Sequence, residues 1–420
     1  MPYQKLALAA AIGALLSGCA QTNTPAVSQQ QVVEHYADIA QAVYADSLTA
    51  AEQLEVAIKQ LLANPSERTL AQARAAWIAA RVPYQQSETF RFANPVVDNW
   101  EGQLNAWPLD EGLIDYVAPG YQHELGNEGA TANIIASKIL QVGGEKLDVS
   151  KITPELLAGL NEVAGSEANV ASGYHAIEFL LWGQDLNGTN TGAGERAYTD
   201  YVLGADCTNG NCDRRRDYLQ AASQLLITDL SWMSQQWQAN DANNYRAELT
   251  ALPAEEGVRR MLFGMGSLSL GELAGERMKV ALVANSVEDE HDCFSDNTHN
   301  SHYYNEKGIV NLMFGEYQRI DGSTIQGPSL LQLVAQQDRS AAKQINAQMR
   351  TSEQAVYQLV QSAEVNNVHF DQLISADNPA GNQLVQDAID ALVEQTRAIE
   401  LAANTIGISN LSPDTADHEF

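Results

Sequence analysis

His175 and Glu178 stand three residues apart inside an apolar run over residues 170–182. In a helix, positions i and i+3 share a face. The imidazole and the carboxylate then point the same way from a segment that must be largely buried. A buried carboxylate is costly unless it is paired or binds a metal. Pairs at this spacing, in the opposite order, build metal sites in helix bundles. The pattern therefore predicts a metal-ligand pair or an acid/base pair. The plain alternative is a core histidine and glutamate satisfied by their neighbours. Gly173, two residues upstream, lets another element approach closely.

Three further segments carry chemistry-bearing side chains. Residues 288–302 hold His291, His299 and His302 with Glu288, Asp289, Glu290, Asp292 and Asp296. Such a set can bind a divalent ion, but its spacing fits no zinc finger or EF-hand loop. A structural loop in which Asp296 or Asn297 caps the next element is the alternative. Residues 81–92 mix aromatics with Arg81, Glu88 and Arg91, and Pro83 should kink a helix there. Asp110 and Glu111 follow a Trp107-Pro108 turn, where Asp110 could cap a helix. No HExxH, GxSxG, Walker A or ribose-binding GxGxxG pattern occurs.

The elements that must position these residues read as helices. Apolar or small residues at Val32, Tyr36, Ile39, Val43, Ala50, Leu54, Ala57 and Leu61 keep a 3/4 spacing. Asn64-Pro65-Ser66-Glu67 reads as the next start, with Asn64 as cap, Pro65 at the first position and Glu67 closing a capping box. That helix is expected to end near Arg91. Residues 93–130 read as loops with short helices. Helices are expected over 131–148, 153–164, 169–182 and 214–237, and again over 254–287, 330–365 and 382–403, with a loop over 186–195. Strand signals are scarce. The expectation is an all-α protein of two helical bundles, residues 31–206 and 207–420, with the boundary in the Cys/Gly/Asn loop at 205–213.

Composition limits the partners. With 53 acidic and 24 basic residues among 420, the formal charge is −29. Nucleic acid, which needs a basic face, is excluded as a partner. Residues 1–19 read as a targeting segment: Lys5, a short apolar stretch from Leu6 to Leu16, then Leu16-Ser17-Gly18-Cys19. This is similar to a bacterial lipobox, so Cys19 is expected to be lipidated and to anchor the chain, with residues 20–30 as a flexible tether. Gln21 is not the aspartate associated with inner-membrane retention, which points to an outer-membrane lipoprotein facing the periplasm. An exported chain can form disulfides. Cys207, Cys212 and Cys293 allow three single pairings that spacing does not decide.

Taken in order, Gly173 to Glu178 and the segments 84–92, 105–111, 213–219, 271–278 and 293–299 resemble the imelysin-like family, in its iron-regulated protein A branch. The resemblance covers residues 33–405. It implies two helical-bundle domains and an exported, often lipid-anchored protein with a GxHxxE signature, matched by Gly173, His175 and Glu178. Members are classed with metallopeptidases and are also linked to iron-regulated expression and iron uptake. Related domains hold a metal with the HxxE pair, so His175 and Glu178 are the expected ligands of iron or zinc. Glu88, on a neighbouring helix, is added as a third ligand on bundle geometry. The expected partners are a metal ion or iron complex, the membrane through the lipid anchor, and iron-uptake components. A metal-dependent peptidase and a non-catalytic helical adaptor are the alternatives. A zinc peptidase needs about three protein ligands, an open water position and a base.

Overall fold

The computed structural model describes residues 26–409 and residue 411. Cys19 and the targeting segment lie outside the described residues. The structure is 64% helical and 4% strand, which makes it all-α as the sequence predicts. The helices are α1 Gln29–Ala63, α2 Glu67–Ser87, α3 Pro95–Asn105, α4 Pro154–Leu160, α5 Gly173–Trp182, α6 Cys212–Gln236 and α7 Tyr245–Ala251. They continue with α8 Ala254–Ser267, α9 Ala281–Ala284, α10 Thr298–Phe314, α11 Leu330–Gln337, α12 Arg339–Asn366, α13 Phe370–Ile374 and α14 Pro379–Thr405. A π-helical segment, Leu268–Val280, joins α8 to α9. Two antiparallel hairpins, β1 Ile139–Val142 with β2 Glu145–Asp148 and β3 Glu316–Gln318 with β4 Thr324–Gln326, complete the chain.

The long first helix forms as its spacing predicts. Ser28 and Gln31 make a capping box at its start, and Val32, Tyr36, Ile39, Val43, Leu54 and Leu61 are buried along one stripe. At the next start the cap differs from expectation. Ser66, not Asn64, caps α2, and Thr69, not Glu67, closes the box. Asn64 instead ends α1, its amide bonding the Gln60 carbonyl, so its backbone is already committed. The helix runs through Pro83 to Ser87 and tightens into a 3-10 turn at Glu88–Phe90.

Other expectations are corrected. Residues 131–148 are not helical: they end in the β1–β2 hairpin, turned at Gly143 and Gly144 with φ of 58° and 77°. A Gly-Gly pair between short strands favours that turn. Arg214 fixes the segment by donating to the carbonyls of Ile134, Ile135, Ser137, Val149 and Ser150. The helix expected over 153–164 stops at Leu160, and the chain turns through Glu162 and Ala164 at positive φ. The helix expected over 330–365 is two, because Asp338 accepts from the amides of Ser340 and Ala341 and starts α12 afresh. Asp110 caps nothing through its side chain; it accepts from Tyr121, Glu124 and Asn127.

The larger apolar core draws on both sides of residue 207, from Val32 to Ile408. A smaller one lies between the π segment, α12, α13 and α14. Cys207 and Cys212 form a disulfide, the local one of the possible pairings, and Cys293 is free. No helix of the described residues is long and apolar enough to cross a membrane.

Candidate metal centre

Helix α5 begins at Gly173, whose φ is +79° and whose missing side chain makes room for a neighbour. A Cβ there would sit 2.3 Å from the Leu104 carbonyl oxygen. The close approach expected of this glycine is therefore made by the end of α3. One turn on, His175 and Glu178 point inward together, 1% and 0% exposed. His175 Nδ1 lies 3.0 Å from Glu178 Oε2. The other Glu178 oxygen accepts from the Ser295 amide at 3.0 Å and the Ser295 hydroxyl at 2.6 Å.

Facing this pair is the loop before α10. It brings His291 and Asp292, 1% and 0% exposed, to the same point. One ligand atom from each of His175, His291 and Asp292 lies within 4.8 Å of the others. The two imidazoles meet edge to face at 4.9 Å, and Trp107 closes the far side of His291 at 5.1 Å. Asp292 is tightly held. One oxygen accepts from Arg81 Nη2 at 2.8 Å; the other accepts from Asn297 at 3.0 Å and from the Ser301 hydroxyl. Arg81 comes from α2, also donates to Asn105 at 2.6 Å, and lies over the rings of Trp77, Tyr84 and Tyr174.

Burial sets the charge states. It pulls the His175 imidazole down to about 3, with the Arg81 charge adding to the effect. His291 is held well below its usual range for the same first reason, with Arg277 and His175 adding. Both rings are thus neutral near pH 7, the form that binds metal. Burial and the Asp292 charge push the Glu178 carboxyl well up. Burial opposes the Asp292 charge too, but Arg81, His175 and the hydrogen bonds from Ser301 and Asn297 outweigh it and hold its pKa low.

Two buried imidazoles at this centre each carry a nitrogen without a partner, Nε2 of His175 and Nδ1 of His291, while His291 Nε2 accepts from Arg81 Nη2 at 3.2 Å. Buried polar nitrogens without a partner are costly. Two neutral imidazoles and a carboxylate suit zinc, iron or a similar divalent ion. The donor set fits a metal in kind. Its spacing is open: ligands of a tetrahedral site at about 2.1 Å from the metal stand roughly 3.4 Å apart. The set must close by about 1 Å, with the Arg81 guanidinium yielding its hold on Asp292.

The expected residues fall into place unequally. His175 belongs to the cluster. Glu178 sits behind it, in the position from which a carboxylate orients a metal-binding histidine. Glu88 is elsewhere: its Oε2 accepts from Arg277 at 2.8 Å. It reaches the centre only through a chain of bonds, Arg277 to Asn305, Asn305 to Gln85 and Gln85 to His291 at 3.4 Å. His291 and Asp292 stood in the His/acid-rich segment 288–302, but nothing in its spacing singled them out. His299, from the same segment, pairs with Glu364 at 3.2 Å. Arg81 carried no signal beyond its place in a polar stretch.

A cavity of about 360 Å³ opens past the C-terminal end of α5, lined by Tyr116, Trp182, Gly183, Leu186 and Arg196. None of the three clustered residues lines it.

Comparison with known proteins agrees with this architecture. The chain is 24% identical over 379 residues to iron-regulated protein A of Synechococcus elongatus, covering 87% of this chain and 86% of that protein. Its fold is similar to that of a protein described as an iron-regulated protein A precursor from Parabacteroides distasonis, with a TM-score of 0.66 at 18% identity over 91% of this chain and 97% of that one. It is also similar to an imelysin-like protein from Psychrobacter arcticum, with a TM-score of 0.60 at 16% identity and the same coverage of 91% and 97%. The sequence model of imelysin matches residues 40–399, most of the chain, and the chain therefore belongs to the imelysin family.

Proposed function

We propose that this protein is an exported, lipid-anchored metal-binding protein of iron acquisition, with its centre at His175, His291 and Asp292 and with Glu178 orienting His175. The observation that carries this reading is the convergence of three buried donor atoms from two distant segments within 4.8 Å of one another, with partnerless nitrogens on both imidazoles. The names of relatives, iron-regulated protein A among them, support an iron-related role. A bound divalent ion would supply the positive charge that two neutral imidazoles and one buried carboxylate favour. His175 and His291 would offer lone pairs, Glu178 would fix the His175 tautomer, and Arg81 would balance Asp292 when no ion is held.

The peptidase alternative asks more of the site. A hydrolytic metal needs an open water position, a free base and room for a peptide. Here the three residues are at most 1% exposed, and both Glu178 oxygens are engaged.

The test is the metal content and titration of the full chain with iron(II) and zinc, wild type against His175→Ala with His291→Ala. One equivalent bound by the wild type and lost in the folded variant is expected. No binding in the wild type after titration would sink the proposal and leave the helical adaptor. For the anchor, Cys19→Ser should move the protein from the membrane to the soluble fraction. Continued membrane attachment of that variant would refute lipidation at Cys19.

A further inference from the structure

Beside the imidazole centre lies a second set of charged groups that the proposed function leaves unused. The loop carrying Glu288, Glu290 and Asp296, the turn after α5 at Asp185, and Asp371 in α13 meet there. Three contacts tie these segments together. His369 Nδ1 approaches the Asp296 carbonyl at 3.1 Å, Gly194 donates to the Phe294 carbonyl at 2.9 Å, and Gln372 donates to Thr191 at 3.0 Å.

The carboxylates gathered in this way are buried and short of partners. Glu290, Asp296 and Asp371 are 1%, 5% and 1% exposed. Glu290 Oε1 and Asp296 Oδ1 have no hydrogen-bond partner, and the Asp371 carboxylate has none beyond the amides of its own first turn. The charges acting on them are each other's. Asp371 is the strongest charged neighbour of both Glu290 and Asp296, and Asp185 acts on all three. Burial and this mutual repulsion push Asp296 up to about 8 and Asp371 up to about 7. Among the described residues no arginine or lysine is seen paired with them, whereas Asp115 and Asp292 each have an arginine. Buried carboxylates are ordinarily paired or bind metal.

We propose that this group of carboxylates is a second metal site, taking a hard divalent cation of the calcium class through Asp296, Asp371 and Glu290, partly by way of water. An all-oxygen donor set selects hard cations over the iron or zinc that imidazoles favour. Among the described residues only the His175 group converges closely enough for direct shared ligation. The carboxylates are therefore bridged through part of the cation's water shell, which calcium and magnesium both retain readily. Asp185, half-buried and acting on all three, adds attraction for the cation.

The experiment uses the full chain, freed of metal with a chelator and titrated with calcium chloride, read by calorimetry and melting temperature. Wild type is expected to bind with a Kd of roughly 10⁻⁴ to 10⁻³ M, the range of extracellular calcium modules, and to melt higher with calcium present. Asp371→Asn and Asp296→Asn should each weaken calcium tenfold or more. His175→Ala with His291→Ala should keep the calcium response, which separates this site from the imidazole centre. If Asp371→Asn does not fold, Asp185→Asn, at a half-buried edge, is expected to weaken calcium as well. No calcium-induced change in the wild type, or unchanged calcium affinity in the folded Asn variants, would overturn the proposal.

Discussion

Glu178 has no oxygen left for a metal as it stands: one meets His175 and the other takes two bonds from Ser295. A carboxylate in this position fixes which imidazole nitrogen carries the proton and leaves the other as the lone pair. Glu178→Gln should therefore weaken metal binding by roughly 10–100-fold without abolishing it, while His175→Ala abolishes it. Equal loss in both variants, measured by titration with zinc, would make Glu178 a ligand. Arg81 supplies the second residue-scale test. It is 1% exposed and pairs with an equally buried Asp292. Arg81→Met leaves that carboxylate alone, at a cost of about 3–5 kcal/mol. If a metal takes over the charge balance, saturating zinc should restore part of the loss in urea unfolding. No recovery would separate Asp292 from the metal. His175 and Glu178 were legible in the sequence because an apolar run frames them at helical spacing. His291, Asp292 and Arg81 were not, since only the folded chain brings residues over 100 positions apart to one point. The same limit explains Glu88, whose place on a neighbouring bundle helix suggests a ligand while its partner Arg277 lies 189 residues along the chain.

At the scale of the elements, the helices with an apolar stripe were readable and those without one were not. Helix α1 shows the 3/4 repeat over its whole length. Helix α10 has no such repeat, because the face it buries includes His302, Asn305, Glu306 and Asn311. Polar residues held inside by other polar groups erase the pattern that periodicity detects. The β1–β2 hairpin is hard to tell from helix in sequence because each strand is only four residues long, too short to show an alternating period. Arg214, far along the chain, supplies the bonds that a short hairpin lacks. Gly173 gives the test for this scale. Its positive φ and its 2.3 Å clearance from Leu104 both forbid a side chain. Gly173→Ala should cost on the order of 3 kcal/mol and push α5 away from α3. Since α5 carries His175, zinc affinity should fall along with the melting temperature. A variant as stable as wild type would show that α5 is free to shift.

The whole molecule raises the question of how its two halves cooperate. The sequence suggested two bundles meeting near residues 205–213, which is a statement about the chain and not about the core. In the fold, backbone from the second half presses directly on the first. A Cβ at Gly257 would meet Val33 at 2.7 Å; at Gly264 it would meet the Thr89 carbonyl at 2.8 Å, and at Gly308 the Gln86 carbonyl at 2.7 Å. The candidate metal centre is itself shared, with His175 and Arg81 from one side and His291 and Asp292 from the other. The large apolar cluster likewise includes residues from both. Two domains that share a core and close backbone contacts unfold together, whereas domains joined by a polar interface melt apart. Calorimetry of the metal-free protein should therefore show one transition, with calorimetric and van't Hoff enthalpies in agreement. A fragment of residues 26–206 should fail to fold, because α1 and α2 would expose the apolar faces that α6, α8 and α10 cover. Two resolved transitions, or a folded fragment, would mean that the halves are independent bundles. In that case metal bound between them would act as a clasp, raising only the transition of the half that opens first.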